Sequence, residues 1–215
     1  MDYLIHIVTL SAIYSIAVMG LNYASGYTGL ISLSHGAFMG VGAYSSAILL
    51  LDSGFPFFPA LIVAGLVSGI AAFLLSFPLL KLKDDAFVLI SFGFGFIAQN
   101  VFFNWESLTK GALGIKGIPY PAIADAFAAP RLAYFFIILA ALLLCFLLLK
   151  TLLRSSYGVI IRATRENPKI TQSCGHDTDS YRRSVFVVSG ILCGLSGAFL
   201  GSFISSIDPP FFSYH

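Results

Sequence analysis

A serine set between glycines in an apolar run, Gly194-Leu-Ser196-Gly197, is how an intramembrane serine hydrolase would present its nucleophile. That chemistry also needs a general base within hydrogen-bond reach, carried on a later span. The one histidine after Ser196 is His215, at the chain end, so the protease reading is set aside. Gly93-Phe-Gly95-Phe-Ile-Ala98 imitates a dinucleotide-binding turn but lies inside an apolar run with no strand before it. No phosphate-binding G-x-x-x-x-G-K-S/T loop occurs, so any ATP would have to be bound by a partner. Cys145, Cys174 and Cys193 have no paired spacing and read as reduced, structural residues. No basic footprint for nucleic acid is present. What remains is Asn22 to Gly36, where glycines, hydroxyls and His35 interrupt an otherwise apolar stretch. Non-helical backbone at membrane depth is tolerated only where protein or a watery cavity covers it, which makes this segment a candidate for lining a pathway. His35 then either contacts solute or a gate, or, as intramembrane polar groups more often do, bonds a neighbouring helix for structure.

The elements around these residues follow from composition. The 215 residues are 58% hydrophobic and 10% charged, with a mean hydropathy of +0.90. A soluble domain carries roughly a quarter charged residues, so a soluble fold is excluded. About 20 apolar residues are needed to cross the hydrocarbon core as a helix. Runs near 3–22, 36–51, 59–80, 86–103, 132–149 and 185–207 qualify, the second short enough to suggest a tilted or broken span. The expected fold is an all-α polytopic bundle of about six transmembrane helices forming one domain over 1–215. The opening run is too long, and begins with Asp2 rather than a basic stretch, to read as a signal peptide.

Orientation follows from Lys and Arg, which are retained on the cytoplasmic side. The 150–184 loop holds seven of the twelve cations: Lys150, Arg154, Arg162, Arg165, Lys169, Arg182 and Arg183. With that loop cytoplasmic, Lys81 and Lys83 also fall inside, while Lys110, Lys116 and Arg131 lie in the external 104–131 loop. Both chain ends then face outside. All ten carboxylates fall in loops or at span ends, so no buried acid marks an ion path, and energy for transport is expected to arrive from outside the chain.

Residues 155–184 read as a helical excursion. Ser155 or Ser156 caps a helix running to about Glu166 that extends the preceding span. Asn167-Pro168 starts a second, seven-residue helix from Pro168 to Cys174, and Gly175 suits its left-handed end. Asp179 or Thr178 is the expected cap of the last span. A short transverse helix between two anchored ones would be a rigid knob for a soluble partner; a solvated basic loop is the plainer alternative. Gly36-x-x-x-Gly40, Gly190-x-x-x-Gly194 and Gly197-x-x-x-Gly201 permit close helix approach, and Gly36-Ala-Phe-Met-Gly40 nearly repeats as Gly197-Ala-Phe-Leu-Gly201.

Three ordered blocks give the chain a family resemblance: GYTGLISLSHGAFMGVGAY at 26–44, NWESLTKGALGIKGIP at 104–119 and YGVIIRATRENPKITQSCG at 157–175. Together they resemble the permease subunits of branched-chain (hydrophobic) amino-acid ABC importers, close to the M-type members. The resemblance implies that Arg162, Ala163, Arg165, Glu166 and Asn167 lead into a coupling helix seated in an ATPase cleft, with Gly175 ending it. It places Gly26, Tyr27, Gly29, Ser32 and His35 near the translocation path. Thr171-Gln172-Ser173-Cys174 replaces the alanine-rich turn usual there, and Lys110 stands where a glycine is usual. The family continues after the sixth span with a Gly-rich segment and further helices, which this chain, ending Asp208-Pro-Pro-Phe-Phe-Ser-Tyr-His215, reads as lacking.

The implied system is a multi-pass importer of the bacterial or archaeal inner membrane. The chain would pair with a second permease, two ATP-binding subunits and an external solute-binding protein. It would be no enzyme, with no catalytic residue, cofactor or metal of its own. Branched-chain or other hydrophobic amino acids are the expected solutes, with urea or amides as the alternative within the family. A secondary carrier or channel working without ATP is the alternative outside it.

Overall fold

A computed structural model describes residues 2–82, 84–120, 130–208 and 211. The expected positions of Lys83, Asp125 and His215, and the 121–129 part of the external loop, lie outside the described residues. Six apolar helices dominate: α1 (Asp2–Thr28), α2 (His35–Leu51), α3 (Phe57–Leu79), α4 (Asp84–Asn104), then α6 (Pro130–Arg154) and α9 (Thr178–Ile204). The short α5 (Glu106–Thr109) follows α4, and α7 (Ser156–Glu166) and α8 (Pro168–Ser173) lie between α6 and α9. Five of the six apolar helices are long enough to cross a membrane, and the sixth, α2, is shorter. The chain is therefore an all-α polytopic membrane protein.

The helices overrun the apolar runs that signal them. α1 continues six residues past the expected end at 22, through Tyr23 to Thr28, and α9 begins at Thr178, beside its expected cap and ahead of the apolar run that starts near 185. A helix that satisfies its own backbone has no reason to stop where the side chains turn polar. Asp177, rather than Asp179 or Thr178, caps α9, its carboxylate accepting from the Asp179 and Ser180 amides. At the other end Ser205 adopts a left-handed φ of 58° and turns the chain into Ser206–Ile207 (β2), which pairs antiparallel with Ile115–Lys116 (β1). The external-loop block is thus clamped against the end of α9.

α9 is the central helix. Two thirds (67%) of its most apolar stretch is buried, against 22% for α6, and it packs against α1, α2 and α3. Glycines make this possible. A side chain at Gly197 would collide with the Met39 carbonyl, one at Gly42 with the Gly194 backbone, and one at Gly190 with Ala72. The near-repeated segments at 36–40 and 197–201 therefore meet across the α2–α9 contact. Serines complete it: Ser196 donates to the Ile13 carbonyl at 2.8 Å, and the Ser68 hydroxyl lies between the carbonyls of Phe38 (3.0 Å) and Gly190 (2.8 Å). Such bonds between helices are worth about 0.6 kcal/mol each on average in membranes. Cys145 and Cys193 are free and buried in this packing, whereas Cys174 is free but exposed at the end of α8, so only the first two have a packing role.

All the cations of 150–184 gather at one end of the bundle. That end also holds the last turns of α1 and α3, where Arg165 meets Gly26 and Arg183 lies over the Phe73 and Phe77 rings. The opposite end holds the β1–β2 clamp and the His6–Phe203 and Tyr120–Tyr134 ring contacts.

Candidate functional site

Gly29 ends α1. Its φ of +74° is a conformation that glycine adopts at little cost, and its amide and that of Leu30 turn back to the carbonyls of Ser25 and Ala24. The chain then re-enters the bundle instead of leaving it. His35, the first residue of α2, lies with Nε2 2.6 Å from Ser189 Oγ, which is itself 2.8 Å from the Gly20 carbonyl. Ser189 is eleven residues into α9, or about 16 Å along it. Gly20 is eight residues before the end of α1, about 12 Å. Residues 29–34 thus climb from the basic end to mid-depth in non-helical form, and α2 spans only what is left.

This segment is held by polar side chains. The Leu33 amide donates to Ser91 Oγ at 3.0 Å, the Ser34 amide to Ser32 Oγ at 3.2 Å, and the Ser32 and Ser34 hydroxyls pair at 2.7 Å. His35 Nδ1 lies 3.1 Å from the Ser32 carbonyl. In a neutral ring Nδ1–H donates to the Ser32 carbonyl, and Nε2 and the Gly20 carbonyl then compete for the single hydroxyl proton of Ser189. Burial along the segment alternates. Leu30, Ser32 and Ser34 turn inward, Leu30 packing with Leu79, Phe87 and Phe186; Gly29, Ile31 and Leu33 face out. Residues 22–28, expected to be irregular, are instead helical, because a helix keeps every amide satisfied until Gly29 allows the turn.

The sequence-derived residues therefore separate. Ser32 and His35 sit together in the inward network. Tyr27 lies elsewhere, in a trough between α1, α6 and α7 and 6.3 Å from the Tyr23 ring. Gly26 offers its carbonyl to the Arg165 guanidinium, and Arg165 Cγ passes 3.7 Å from where a Gly29 side chain would stand. Arg165 thus joins the two residue groups that the sequence treats separately.

At the basic end the chain breaks at Ser155, so α7 is a helix of its own rather than a continuation of α6. Ser155 occupies the cap position without bonding an amide; its hydroxyl donates back to Leu152. Arg162, Ala163, Arg165 and Glu166 are exposed on α7. Asn167 caps α8, its Oδ1 accepting from the amides of Lys169 (3.1 Å) and Ile170 (3.2 Å). Gly175, with φ +86°, closes it: its amide donates to Gln172 and that of His176 to Thr171. The helix ends at Ser173, and Cys174 is its cap rather than its last residue. Thr171 is buried and Ile170 is 62% exposed, leaving one apolar side chain standing out from a rigid knob.

Sequence reasoning missed Ser91 and Ser189, which anchor the re-entrant segment from α4 and α9. A hydroxyl in the middle of an apolar run was the available signal. Among the described residues, no group of three or more His, Cys, Asp or Glu could hold a metal ion.

Comparison with known proteins gives the chain a family. Residues 3–214 match the family described as branched-chain amino acid transport system / permease component. The high-affinity branched-chain amino acid transport system permease proteins LivM of Salmonella typhimurium and Escherichia coli are each 31% identical over 98% of the chain. The chain spans about half of their length, 55% in each case. The LivH permease of Escherichia coli is 25% identical over 94% of the chain and 70% of its own length. No solved structure matches the chain. With nearly every described residue inside the family match, the chain belongs to the permease components of branched-chain amino acid transport systems.

Proposed function

We propose that the chain is the transmembrane permease subunit of an ATP-driven importer for branched-chain or other hydrophobic amino acids, working by alternating access in the inner membrane. The observation that carries this reading is the re-entrant segment. Its outward flank, Gly29, Ile31 and Leu33, is non-helical backbone rising from the basic end towards mid-depth, with Ile31 61% exposed. Such backbone does not face acyl chains; it lines a watery cavity or is covered by protein. We assign that flank to the solute path, completed from the other side by a second permease subunit. Its side chains are apolar, which suits a hydrophobic solute. Ser32 and His35 act behind it, holding the wall in place.

The basic end faces the cytoplasm by the rule that retains Lys and Arg there. Two ATP-binding subunits dock on the α8 knobs, and the Arg165 bond to Gly26 carries their movement into the foot of the path. An external solute-binding protein delivers to the opposite end. ATP is bound by those partners, and this chain contributes no covalent chemistry. Reconstitution in proteoliposomes with the second permease, the ATPases and the binding protein tests the reading. ATP-dependent leucine uptake that falls at least tenfold in Leu33→Asp supports it. Flux driven by a pH gradient in the absence of ATP would replace it with a secondary carrier.

A further inference from the structure

On the flank of α1 where Tyr27 lies, a trough of about 400 Å³ runs between α1, α6 and the start of α7. Its composition changes along its length. Towards the bundle middle it is walled by Met19, Tyr23, Phe146 and Leu149; towards the basic end it is rimmed by Lys150, Arg154 and Arg162. Lys150 is four residues from the end of α6, about 6 Å by helical rise. Its cation, with those of Arg154 and Arg162, therefore lies at the level where a bilayer's headgroups begin.

Among the described residues none of these three cations has an acidic partner. Arg162 donates to the Leu153 carbonyl at a long 3.5 Å, and Lys150 Nζ lies 5.8 Å from the Phe146 ring centroid. The surroundings of α6 are those of a lipid-facing helix: Leu143, Phe146 and Leu147 are about half exposed. On the other side of α6, a trough of about 490 Å³ lined by Cys145, Leu148, Val188 and Leu195 has no cation at its rim. Charge therefore distinguishes two grooves of similar size on one helix. A ligand that matches the first carries a strong anion at headgroup height and a hydrocarbon tail at Tyr23 and Leu149. Basic pockets between transmembrane helices at the cytoplasmic side bind such headgroups.

We infer that this trough is a binding site for an anionic phospholipid of the cytoplasmic leaflet. Its phosphate sits among Lys150, Arg154 and Arg162, and one acyl chain lies along Met19, Tyr23 and Leu149. The lipid links α1 to α7, and so joins the stem that precedes the α8 knob to the helix that leads into the re-entrant segment. The inference stands whether or not the transported solute is an amino acid.

Native mass spectrometry of the full chain purified in detergent, titrated with phosphatidylglycerol and separately with phosphatidylcholine, tests it without any ATPase present. One phosphatidylglycerol is expected to remain bound at concentrations at least tenfold below those needed for phosphatidylcholine. Equal retention of the two overturns the proposal and needs no variant. The double variant Arg154→Gln/Arg162→Gln is expected to abolish the difference. Lys81→Gln/Lys169→Gln, which removes the same charge elsewhere at the basic end, is expected to keep it. If both double variants lose it alike, the attraction is only that of a positive surface, and if neither does, the lipid sits elsewhere; either result overturns the site. A second copy of the chain occupying the trough would also exclude lipid, and would appear as a dimer with no phosphatidylglycerol dependence.

Discussion

The guanidinium of Arg165 on α7 donates through Nη1 to the carbonyl of Gly26 in the last turn of α1. The two residues are 139 apart in sequence. Through this bond, the block that precedes the α8 knob touches the last turn before the re-entrant segment. Arg165→Ala is expected to leave ATPase binding intact while lowering ATP-driven uptake about tenfold. Arg165→Lys is expected to recover part of the loss, because one ammonium can still reach the carbonyl. Pull-down of the ATPases beside uptake assays separates transmission from docking; loss of binding in Arg165→Ala would place the residue in the docking surface instead.

A glycine in the central contact and one outside it predict opposite signs for the same substitution. Gly197→Ala puts a methyl against the Met39 carbonyl and is expected to cost about 1–3 kcal/mol, as overpacking does. Gly93→Ala on α4 meets nothing within 4 Å and is expected to stabilise by about 0.5–1 kcal/mol, because alanine loses less backbone freedom in a helix. Unfolding of the two purified variants in mild detergent by denaturant titration checks both.

Ser189→Ala leaves His35 Nε2 buried without its partner, and His35→Ala removes the ring. Each is expected to cost about 1–3 kcal/mol, and the double variant less than the sum, since both break one contact. A coupling energy near zero in that cycle would mean that the two side chains do not act together.

Cys174 is the one exposed cysteine of the three. With the basic end cytoplasmic, a membrane-impermeant maleimide is expected to label the chain in inside-out vesicles and not in right-side-out ones. Cys174→Ser is expected to abolish that labelling. Labelling in intact right-side-out vesicles would invert the orientation.

The apolar runs were legible because a crossing helix must satisfy lipid over its whole length, a demand that every residue of the run records. The ends were less so. Asn22 to Thr28 looks like loop by its polarity, yet remains helical because the helix continues until a left-handed glycine stops it, whereas the start of the last helix was legible to within two residues from Thr178 and Asp179. The glycines and hydroxyls of 29–35 correctly marked an irregular segment. Which of its side chains turn into the bundle was not written locally. The family resemblance places Ser32 and His35 near the translocation path. In the structure they turn inward, for the partners that satisfy the segment, Ser91 and Ser189, come from helices 58 and 154 residues further on. The apolar Ile31 and Leu33 are left on the open side. Asn167 and Gly175 were readable for the opposite reason: both act on backbone groups within five residues.

The glycine seams of α9 set how this bundle can change shape. Where one helix backbone rests on another, no layer of pliable side chains lies between them to let them slide. α1, α2, α3 and α9 must then tilt as one block, with α4 and α6 following at its margins. On the proposed reading, in which a second permease subunit covers Ile31 and Leu33, the working joint lies along that boundary rather than within the block.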